Sequence, residues 1–575
     1  MQSEQTVAPR SGAQIVMEAL ALHGVDIIFG YPGGVVLPLY DEMTRWPAIQ
    51  HVLVRHEQCA AHMADGYARS TGKVGVCLAT SGPGATNLVT GIATAIMDSI
   101  PMVAITGQVN SWAVGTDAFQ ETDIQGITIP ITKHNYLVMD VDDLPHALVE
   151  AFHLANTGRK GPVLVDIPKD VFTAMSSVPF PTEIVRRGYR ASAATNDTAV
   201  EAAAKLVAEA KKPVIIAGAG VVWSETNQAL AELAEKADLP IINSLLGLGS
   251  IDRQNERSLG MMGMHGEAVG TLAVQEADLL IGIGIRFDDR LTGKVAGFAP
   301  NAKIIHFDLD PSEFAKVVET TLCVPGDLSE TLPAFTAAVQ PKANEEWWAK
   351  LRGWQQEFPL VVPDSTGLMA RHVLQMLDRT TNSDAIISTD VGQHQMWTAQ
   401  LYRFKRPFQW LSSGGLGTMG FGFPAAMGAA FANPKQEVWA VVGDGGFQMT
   451  LQELQTAVEH KLNVKICLVN NGYLGMVRQW QELFFENRYS HVEMGSPDFG
   501  KLAEAYGVTF FRCSTREDLE NTFEQARAAD GPVLVEFLVE MEENVFPMVP
   551  AGKANDQVQM DPALPKDKAP MGIPA

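Results

Sequence analysis

The stretch VWAVVGDGG (438–446), followed by KICLVNN (465–471), decides the fold of this chain. Each segment is a short run of β-branched and apolar residues that ends in glycine or asparagine, a pattern typical of a strand buried on both faces. Similar runs recur along the chain as KVGVCLAT (73–80), PMVAIT (101–106), GPVLVDI (161–167), PVIIAG (213–218), DLLIGIG (278–284), KIIHFDL (303–309), DAIIST (384–389) and PVLVEFL (532–538). Because helix-length segments separate these runs, the sequence predicts parallel sheets covered by helices.

Repeated segments predict that the first and last thirds of the chain are related. The first third contains GVCLATSGPG (75–84) and, further on, GPVLVDIP (161–168). The last third contains VWAVVGDGG and, at a similar spacing, GPVLVEFL (531–538). We therefore predict an α/β fold of three doubly wound parallel-sheet domains, in which two related outer domains flank a central one.

Two connecting stretches mark the predicted domain limits. Residues 176–197 are polar and contain proline, and residues 341–366 form a second connection. The pattern T-x-x-E at Thr198–Glu201 is that of a capping box, so we expect the first helix of the central domain to begin there. The predicted segments are domains over 1–180, 195–345 and 365–550, and a tail over 551–575 that ends outside any core.

Composition excludes several classes of protein. The 575 residues are 46% hydrophobic and 19% charged, which excludes a wholly disordered chain. The net charge of −23 disfavours nucleic acids and anionic membranes as partners. The five cysteines are widely spaced and form no C-x-x-C, so we expect reduced thiols and a cytoplasmic protein. The N-terminal residues lack a signal-peptide pattern, and glycines and prolines interrupt the uncharged stretch 407–434, so we expect no membrane segment.

The two strand ends quoted first predict a metal site. Because parallel strands present their carboxyl ends at the ligand-binding edge of a sheet, Asp444 and Asn471 should lie close together. Their side-chain oxygens are hard ligands that suit Mg²⁺. Gly445 and Gly446 would let a diphosphate approach the backbone at the next helix N-terminus. A bound cation would explain how an acidic protein holds an anion. The alternative to a metal site is that both segments are ordinary turns at strand ends.

Glu57 is the strongest candidate for proton transfer. It lies in RHEQCAAHMA (55–64), among small and apolar residues, where a carboxylate could share a proton near neutral pH. The alternative is a glutamate on a helix surface. A zinc site of the H-E-x-x-H type is excluded, because position 60 is alanine.

The GDG segment with its downstream asparagine pair resembles the thiamine-diphosphate enzymes. The resemblance extends over nearly the whole chain and is to one family, the large catalytic subunits of acetolactate (acetohydroxyacid) synthase. The segments that carry it are FGYPGG (29–34), VRHEQCAAHMADGYAR (54–69), SGPGATN (81–87), DAFQE (117–121), RFDDR (286–290), SGGLGTMGFGFP (413–424) and LGMVRQWQ (474–481).

The resemblance implies an enzyme that decarboxylates pyruvate on thiamine diphosphate. It would join the hydroxyethyl unit to pyruvate or 2-oxobutyrate, giving 2-acetolactate or 2-aceto-2-hydroxybutyrate for valine, leucine and isoleucine synthesis. Two alternatives remain, a pyruvate oxidase-type flavin oxidoreductase and a glyoxylate carboligase-type carboligase. Arg290, Gln120 and Trp480 argue against the first alternative, and Glu57 argues against the second. The implied partners are further catalytic subunits, in a homodimer or tetramer, and a small regulatory subunit.

Individual roles also carry over by resemblance. The residues implied at thiamine diphosphate are Glu57, which would contact the pyrimidine N1′, Met419, Gly443, Asp444, Gly445, Gly446, Asn471 and Met476. The implied Mg²⁺ ligands are Asp444, Asn471 and the backbone carbonyl of Tyr473. The residues implied at a flavin (FAD) without a redox role, bound by the central domain, are Arg159, Gly218, His265, Gly284, Arg286, Asp288, Asp308 and Asp327. The residues implied at the substrates are Gly34, Val35, Phe119, Gln120, Lys169, Arg290, Val477 and Trp480.

Overall fold

The computed structural model describes residues 7–562. They form three six-stranded parallel sheets with flanking helices, and a two-stranded antiparallel pair near the first of them. The predicted α/β fold with three parallel-sheet domains is therefore confirmed. The five cysteines are free thiols. Within residues 7–562, no helix is both long and apolar enough to cross a membrane.

The first outer domain contains the strands β1 (Arg10–Ser11), β2 (Ile27–Gly30), β3 (Gln50–Leu53), β4 (Gly75–Ala79), β5 (Met102–Gln108), β6 (His134–Leu137), β7 (Pro162–Pro168) and β8 (Met175–Ser176). Its helices are α1 (Gly12–Leu22), α2 (Leu37–Met43), α3 (Glu57–Thr71), α4 (Pro83–Thr86), α5 (Val89–Asp98), α6 (Ile124–Thr128), α7 (Leu144–Asn156) and α8 (Lys169–Thr173). The main sheet has the strand order β3-β2-β4-β5-β7-β6, and β1 pairs with β8.

The central domain contains the strands β9 (Pro213–Ala217), β10 (Ile241–Asn243), β11 (Ser258–Met261), β12 (Leu279–Ile283), β13 (Lys303–Asp308) and β14 (Leu322–Pro325). Its helices are α9 (Asp197–Glu209), α10 (Ala219–Trp223), α11 (Asn227–Ala237), α12 (Ala268–Glu276), α13 (Asp289–Thr292) and α14 (Leu328–Ala338), and α15 (Glu345–Glu357) follows. The strand order β11-β10-β9-β12-β13-β14 is that of doubly wound dinucleotide-binding sheets, which bind ligands where the order reverses.

The last domain contains the strands β15 (Ile386–Thr389), β16 (Trp410–Ser412), β17 (Val438–Gly443), β18 (Val464–Asn470), β19 (Thr509–Cys513) and β20 (Val533–Leu538). Its helices are α16 (Ala370–Thr380), α17 (Gln393–Leu401), α18 (Gly422–Ala432), α19 (Asp444–Phe447), α20 (Leu454–Glu459), α21 (Gly475–Phe484), α22 (Phe499–Tyr506) and α23 (Leu519–Ala528). The order β16-β15-β17-β18-β20-β19 repeats that of the first sheet strand for strand, and the repeated GPVLV segments form β7 and β20 at the same place in each.

One local prediction is wrong. The N-cap of helix α9 is Asn196, two residues before the expected Thr198, because the Asn196 side chain accepts a hydrogen bond from the backbone N–H of Ala199 at 3.1 Å. Within the first part of the predicted tail, Val558 is buried and Asp561 pairs with Arg371 at 2.6 Å. Residues 563–575 of that tail lie outside the described part of the chain.

Helices α3 and α18 join the two outer domains. They cross so closely that a Cβ atom added to Gly66 would lie 2.0 Å from the carbonyl oxygen of Ala425, and one added to Gly428 would lie 2.0 Å from that of Met63. Buried apolar residues of both domains, including Phe29 from the first and Phe447 from the last, belong to one continuous hydrophobic cluster. The outer domains therefore share a core.

Replacing Gly66 with alanine should destabilise the protein. The added methyl group must push the two helices apart, and overpacking of this kind costs about 1–3 kcal/mol of unfolding free energy. The control is Gly353→Ala in α15, where nothing lies within 4 Å of the added Cβ and the helix propensity of alanine should be neutral or slightly stabilising. Urea unfolding of both variants measures the difference; equal midpoints would contradict the close packing.

Candidate active site

Asp444 and Asn471 end neighbouring parallel strands. Asp444 begins α19 directly after β17, Asn471 directly follows β18, and the two strands pair along their whole length. The carboxylate of Asp444 is 2% exposed and accepts a hydrogen bond of 3.3 Å from the hydroxyl of Ser496. Burial raises the pKa of Asp444 to about 6. The structure thus places both predicted side chains at the carboxyl edge of the sheet.

A tight turn orients the residues after β18. The side-chain oxygen of Asn471 accepts the backbone N–H of Tyr473 at 3.0 Å, and that of Asn470 accepts the backbone N–H of Gly472 at 3.1 Å. Gly472 has a φ of +70°, a conformation that glycine adopts at little cost. The turn holds Asn471 and Tyr473 beside the end of β17.

Gly443, which ends β17, and Gly446 leave no room for a side chain. A Cβ on Gly443 would lie 3.0 Å from the ring of His394, and one on Gly446 would lie 2.5 Å from the carboxylate of Asp390. A Cβ on Gly445 would lie 3.7 Å from the tip of Met419. The tip of Met419 therefore lies next to the glycine turn.

Gln393 and His394 are buried polar residues near the turns after β17 and β18, and the sequence analysis did not single them out. They begin α17, after the neighbouring strand β15, and both are buried. Within residues 7–562, His394 Nε2 and Gln393 Oε1 have no hydrogen-bond partner. Burial lowers the pKa of His394 to about 4, so the ring is neutral at physiological pH. Polar residues directly after a predicted buried strand were the available signal.

A cavity of about 1020 Å³ lies between the three domains. Met419, Met476, Val477 and Trp480 line it from the last domain. The predicted flavin residues that line it are Arg159, His265, Gly284, Arg286, Asp288, Asp308 and Asp327. Gly218 does not line it: a Cβ there would lie 2.1 Å from the carbonyl oxygen of Gly284, so this glycine permits close packing of two strand ends.

The aspartates of the central domain also stabilise its local structure. Asp288 caps α13 by accepting the backbone N–H groups of Arg290 and Leu291, at 3.0 and 3.2 Å. Asp327 caps α14 by accepting the backbone N–H of Ser329 at 2.9 Å. Aspartate is one of the residues that most often cap a helix N-terminus.

Two arginines that line the cavity differ in their ion pairing. Arg159 pairs with Asp310 and Glu313 at 3.2 and 2.5 Å. The exposed guanidinium of Arg290 lies 5.8 Å from the centre of the Trp480 ring. Burial, and secondarily the charge of Arg290, lowers the pKa of the adjacent His265 to about 4.

Glu57 belongs to a second group of residues, in the first domain. It is half-buried at the start of α3, where Asn87 Nδ2 donates to its carboxylate at 2.9 Å. The exposed Gly34, Phe119, Gln120 and Lys169 follow β2, β5 and β7 of the same sheet. None of these residues, nor the nearby Val35, lines the cavity described above. Within one chain, the predicted site residues therefore form two separate groups.

Comparison with known proteins identifies the family of the chain. Family models of thiamine pyrophosphate enzymes match in chain order: the N-terminal TPP binding domain at residues 10–127, the central domain at 200–335 and the C-terminal TPP binding domain at 390–537. The acetolactate synthase large subunit of Mycobacterium tuberculosis is 50% identical over 563 residues, which cover 96% of this chain and 91% of that protein. The chain belongs to the acetolactate synthase large-subunit family. Two further large subunits match. That of Corynebacterium glutamicum is 48% identical, over 96% of this chain and 90% of that protein. That of Parasynechococcus marenigrum is 47% identical, over 97% of this chain and 92% of that protein.

Membership in the acetolactate synthase family confirms several predictions. The predicted family, the activity and the dependence on thiamine diphosphate are all borne out. The activity is therefore favoured over the pyruvate oxidase-type and glyoxylate carboligase-type alternatives. The two outer domains, related by strand order, are the two thiamine pyrophosphate-binding domains.

Proposed function

We propose that this chain joins two 2-keto acids, taking pyruvate as the donor and pyruvate or 2-oxobutyrate as the acceptor. Two pyruvates would give 2-acetolactate and CO₂. The observation that carries the proposal is the single cavity in which Met419, beside the glycine turn of the thiamine-binding domain, faces the same space as Arg290 and Trp480. Thiamine diphosphate, when bound, would supply the nucleophilic carbon and hold the electron pair that stays behind when CO₂ departs.

Mg²⁺ fits the residues after β17 and β18. Carboxylate, amide and backbone oxygens from Asp444, Asn471 and Tyr473 are the donor types that Mg²⁺ prefers. Burial disfavours the ionised form of Asp444, and a bound cation would stabilise that form. We add His394 to the residues proposed at the diphosphate, because its ring lies beside Gly443 and its Nε2 has no hydrogen-bond partner within residues 7–562.

FAD fits the part of the cavity inside the central domain. The doubly wound strand order, the glycines after β9 and β12, and the cations Arg159 and Arg286 are features of a site for an anionic dinucleotide. The buried His265 adds a ring nitrogen that has no partner within residues 7–562. We assign the flavin a structural role, as the wall of the acceptor pocket.

Arg290 and Trp480 would select the acceptor. A guanidinium can bind a carboxylate through two hydrogen bonds, and the nearest acidic partner of Arg290 is 3.9 Å away, at Asp289. Trp480 Nε1 is buried without a hydrogen-bond partner in the described part of the chain, and its ring borders the cavity with Val477. The carboxylate of the acceptor would pair with Arg290, and its alkyl group would contact the Trp480 ring.

Glu57 would act in the active site of a second subunit. Its group of residues does not line the cavity of its own chain, so a homodimer is the smallest assembly that would complete the site. Gly34, Phe119, Gln120 and Lys169 would reach the donor from the same side. The large-subunit names of the relatives also support a small regulatory subunit as a partner.

Turnover of mixed keto acids tests the proposed function. With pyruvate, 2-oxobutyrate, thiamine diphosphate, Mg²⁺ and FAD, we expect both acetohydroxy acids to form while the flavin absorbance stays that of the oxidised state. The control omits one cofactor at a time. Stoichiometric flavin reduction by pyruvate, without acetolactate, would contradict the proposal and favour a flavin oxidoreductase.

A further inference from the structure

A buried carboxylate of the last domain holds the backbone just before Glu57. Glu453 has no exposed surface, and its Oε1 accepts the backbone N–H groups of Arg55 and His56 at 2.8 and 3.1 Å. Its Oε2 accepts the hydroxyl of Thr456 at 2.8 Å. The carboxylate therefore connects the two outer domains directly at the entrance to helix α3.

Arg55 and His56, which Glu453 holds, fix the position of the Glu57 backbone. His56 is the N-cap of α3 and accepts the backbone N–H of Gln58 at 3.1 Å, so Glu57 is the first residue of a helix whose start is fixed from both sides. Asn87 then holds the carboxylate of Glu57 itself at 2.9 Å. The last domain thus holds the backbone just before Glu57, and Asn87 of the first domain holds the Glu57 side chain.

The first domain holds the last domain in the same way. Asp98 is 3% exposed and accepts the backbone N–H groups of Gly414 and Gly415, at 3.1 and 2.7 Å. Arg69 donates to Asp98 at 2.8 Å and to the carbonyl oxygen of Ser412, also at 2.8 Å. These glycines open the segment that leads to Met419.

The two contacts occupy matching places in the repeated topology. The held loops follow β3 and β16, which are the equivalent edge strands of the two sheets. The holding carboxylates lie in the crossovers from β4 to β5 and from β17 to β18, which are also equivalent. In each case one carboxylate accepts two consecutive backbone N–H groups from the other domain.

We propose that Glu453 is a positioning residue that holds Glu57 in place across the domain interface, with Asp98 as its counterpart for the glycine segment 413–420. The inference rests on the function proposed for Glu57 and adds a residue to it. Burying a carboxylate is costly unless it is hydrogen-bonded. Both oxygens of Glu453 accept hydrogen bonds, Oε1 from the start of α3 and Oε2 from Thr456 of helix α20.

Variants of Glu453 in the thiamine diphosphate and Mg²⁺-loaded enzyme test the proposal. The readout is the rate at which the C2 proton of the bound cofactor exchanges with deuterium, measured per bound cofactor. Glu453→Leu removes the acceptor and Glu453→Asp withdraws it by one methylene, and both should slow exchange by about 10- to 100-fold. Glu453→Gln keeps an oxygen for both N–H groups and should stay within about threefold of the parent. The matched control is Glu459→Gln, an exposed carboxylate that pairs with the Arg55 side chain.

A purely structural role would reduce the amount of folded enzyme without changing exchange per bound cofactor. Parent-like exchange in Glu453→Leu or Glu453→Asp would overturn the proposal, as would Glu453→Gln exchanging as slowly as Glu453→Leu. If Glu453→Leu does not fold, Glu453→Asp and Glu453→Gln decide alone. Glu57→Gln, measured in the same assay, separates failure of the proposed Glu57 role from failure of the positioning role of Glu453. Parent-like exchange in Glu57→Gln would refute the role of Glu57 itself. Slow exchange in Glu57→Gln together with parent-like exchange in the Glu453 variants would refute only the positioning role.

Discussion

Glu57→Gln should lower the rate of acetolactate formation by about 10²- to 10⁴-fold, the usual contribution of a group that moves a proton. The amide can still accept the hydrogen bond from Asn87, so the fold and the position of the side chain should be kept. What is lost is the ability to hold and return a proton at the cofactor. Steady-state turnover at saturating pyruvate and thiamine diphosphate measures the effect.

Two comparisons make the Glu57 result specific. Glu232→Gln changes an exposed glutamate of helix α11 in the same way and should leave turnover unchanged. Thermal unfolding of both variants should match that of the parent. A Glu57→Gln enzyme that kept more than about a tenth of the parent rate would show that the proton is carried elsewhere.

Asp444→Ala should raise the Mg²⁺ concentration needed for half-maximal activity by about 100-fold or more. Even outer partners of metal ligands typically change metal affinity by about 10–100-fold, and a direct charged ligand should matter at least as much. Thiamine diphosphate binding should weaken in parallel, because the metal would join the diphosphate to the protein. Titrations of activity with Mg²⁺ and with the cofactor measure both effects.

Ser496→Ala is the matched control for Asp444. It removes the 3.3 Å hydrogen bond to the same carboxylate while leaving the ligand in place, so the Mg²⁺ requirement should change by no more than about threefold. An Asp444→Ala enzyme with the Mg²⁺ requirement of the parent would place the metal elsewhere.

Most of the fold could be predicted because buried parallel strands have a local signature. The runs ending at Gly443 and Asn470 were continuous, apolar and β-branched, and the structure makes both of them central strands. The start of α9 was placed wrongly because Asn196 and Thr198 are both good N-caps, and only the packed structure selects between them.

The site could be predicted only where residues sit in a recognisable segment. Asp444 and Asn471 follow strands and carry their own chemistry, and Glu57 lies in a segment shared with known enzymes. His394 has no such segment, and its role depends on its distance from Gly443. The contact of Glu453 with Arg55 joins residues far apart in the chain, which no local pattern can indicate.

The crossing of α3 and α18 has a consequence during synthesis. Helix α3 leaves the ribosome about 350 residues before α18, which at ordinary elongation rates is a delay of roughly 20–70 s. During that time the part of α3 that packs against α18, which includes Gly66, lacks that partner in the nascent chain. The first domain therefore reaches its final packing only after translation has passed the central domain, and chaperones have that interval in which to shield it.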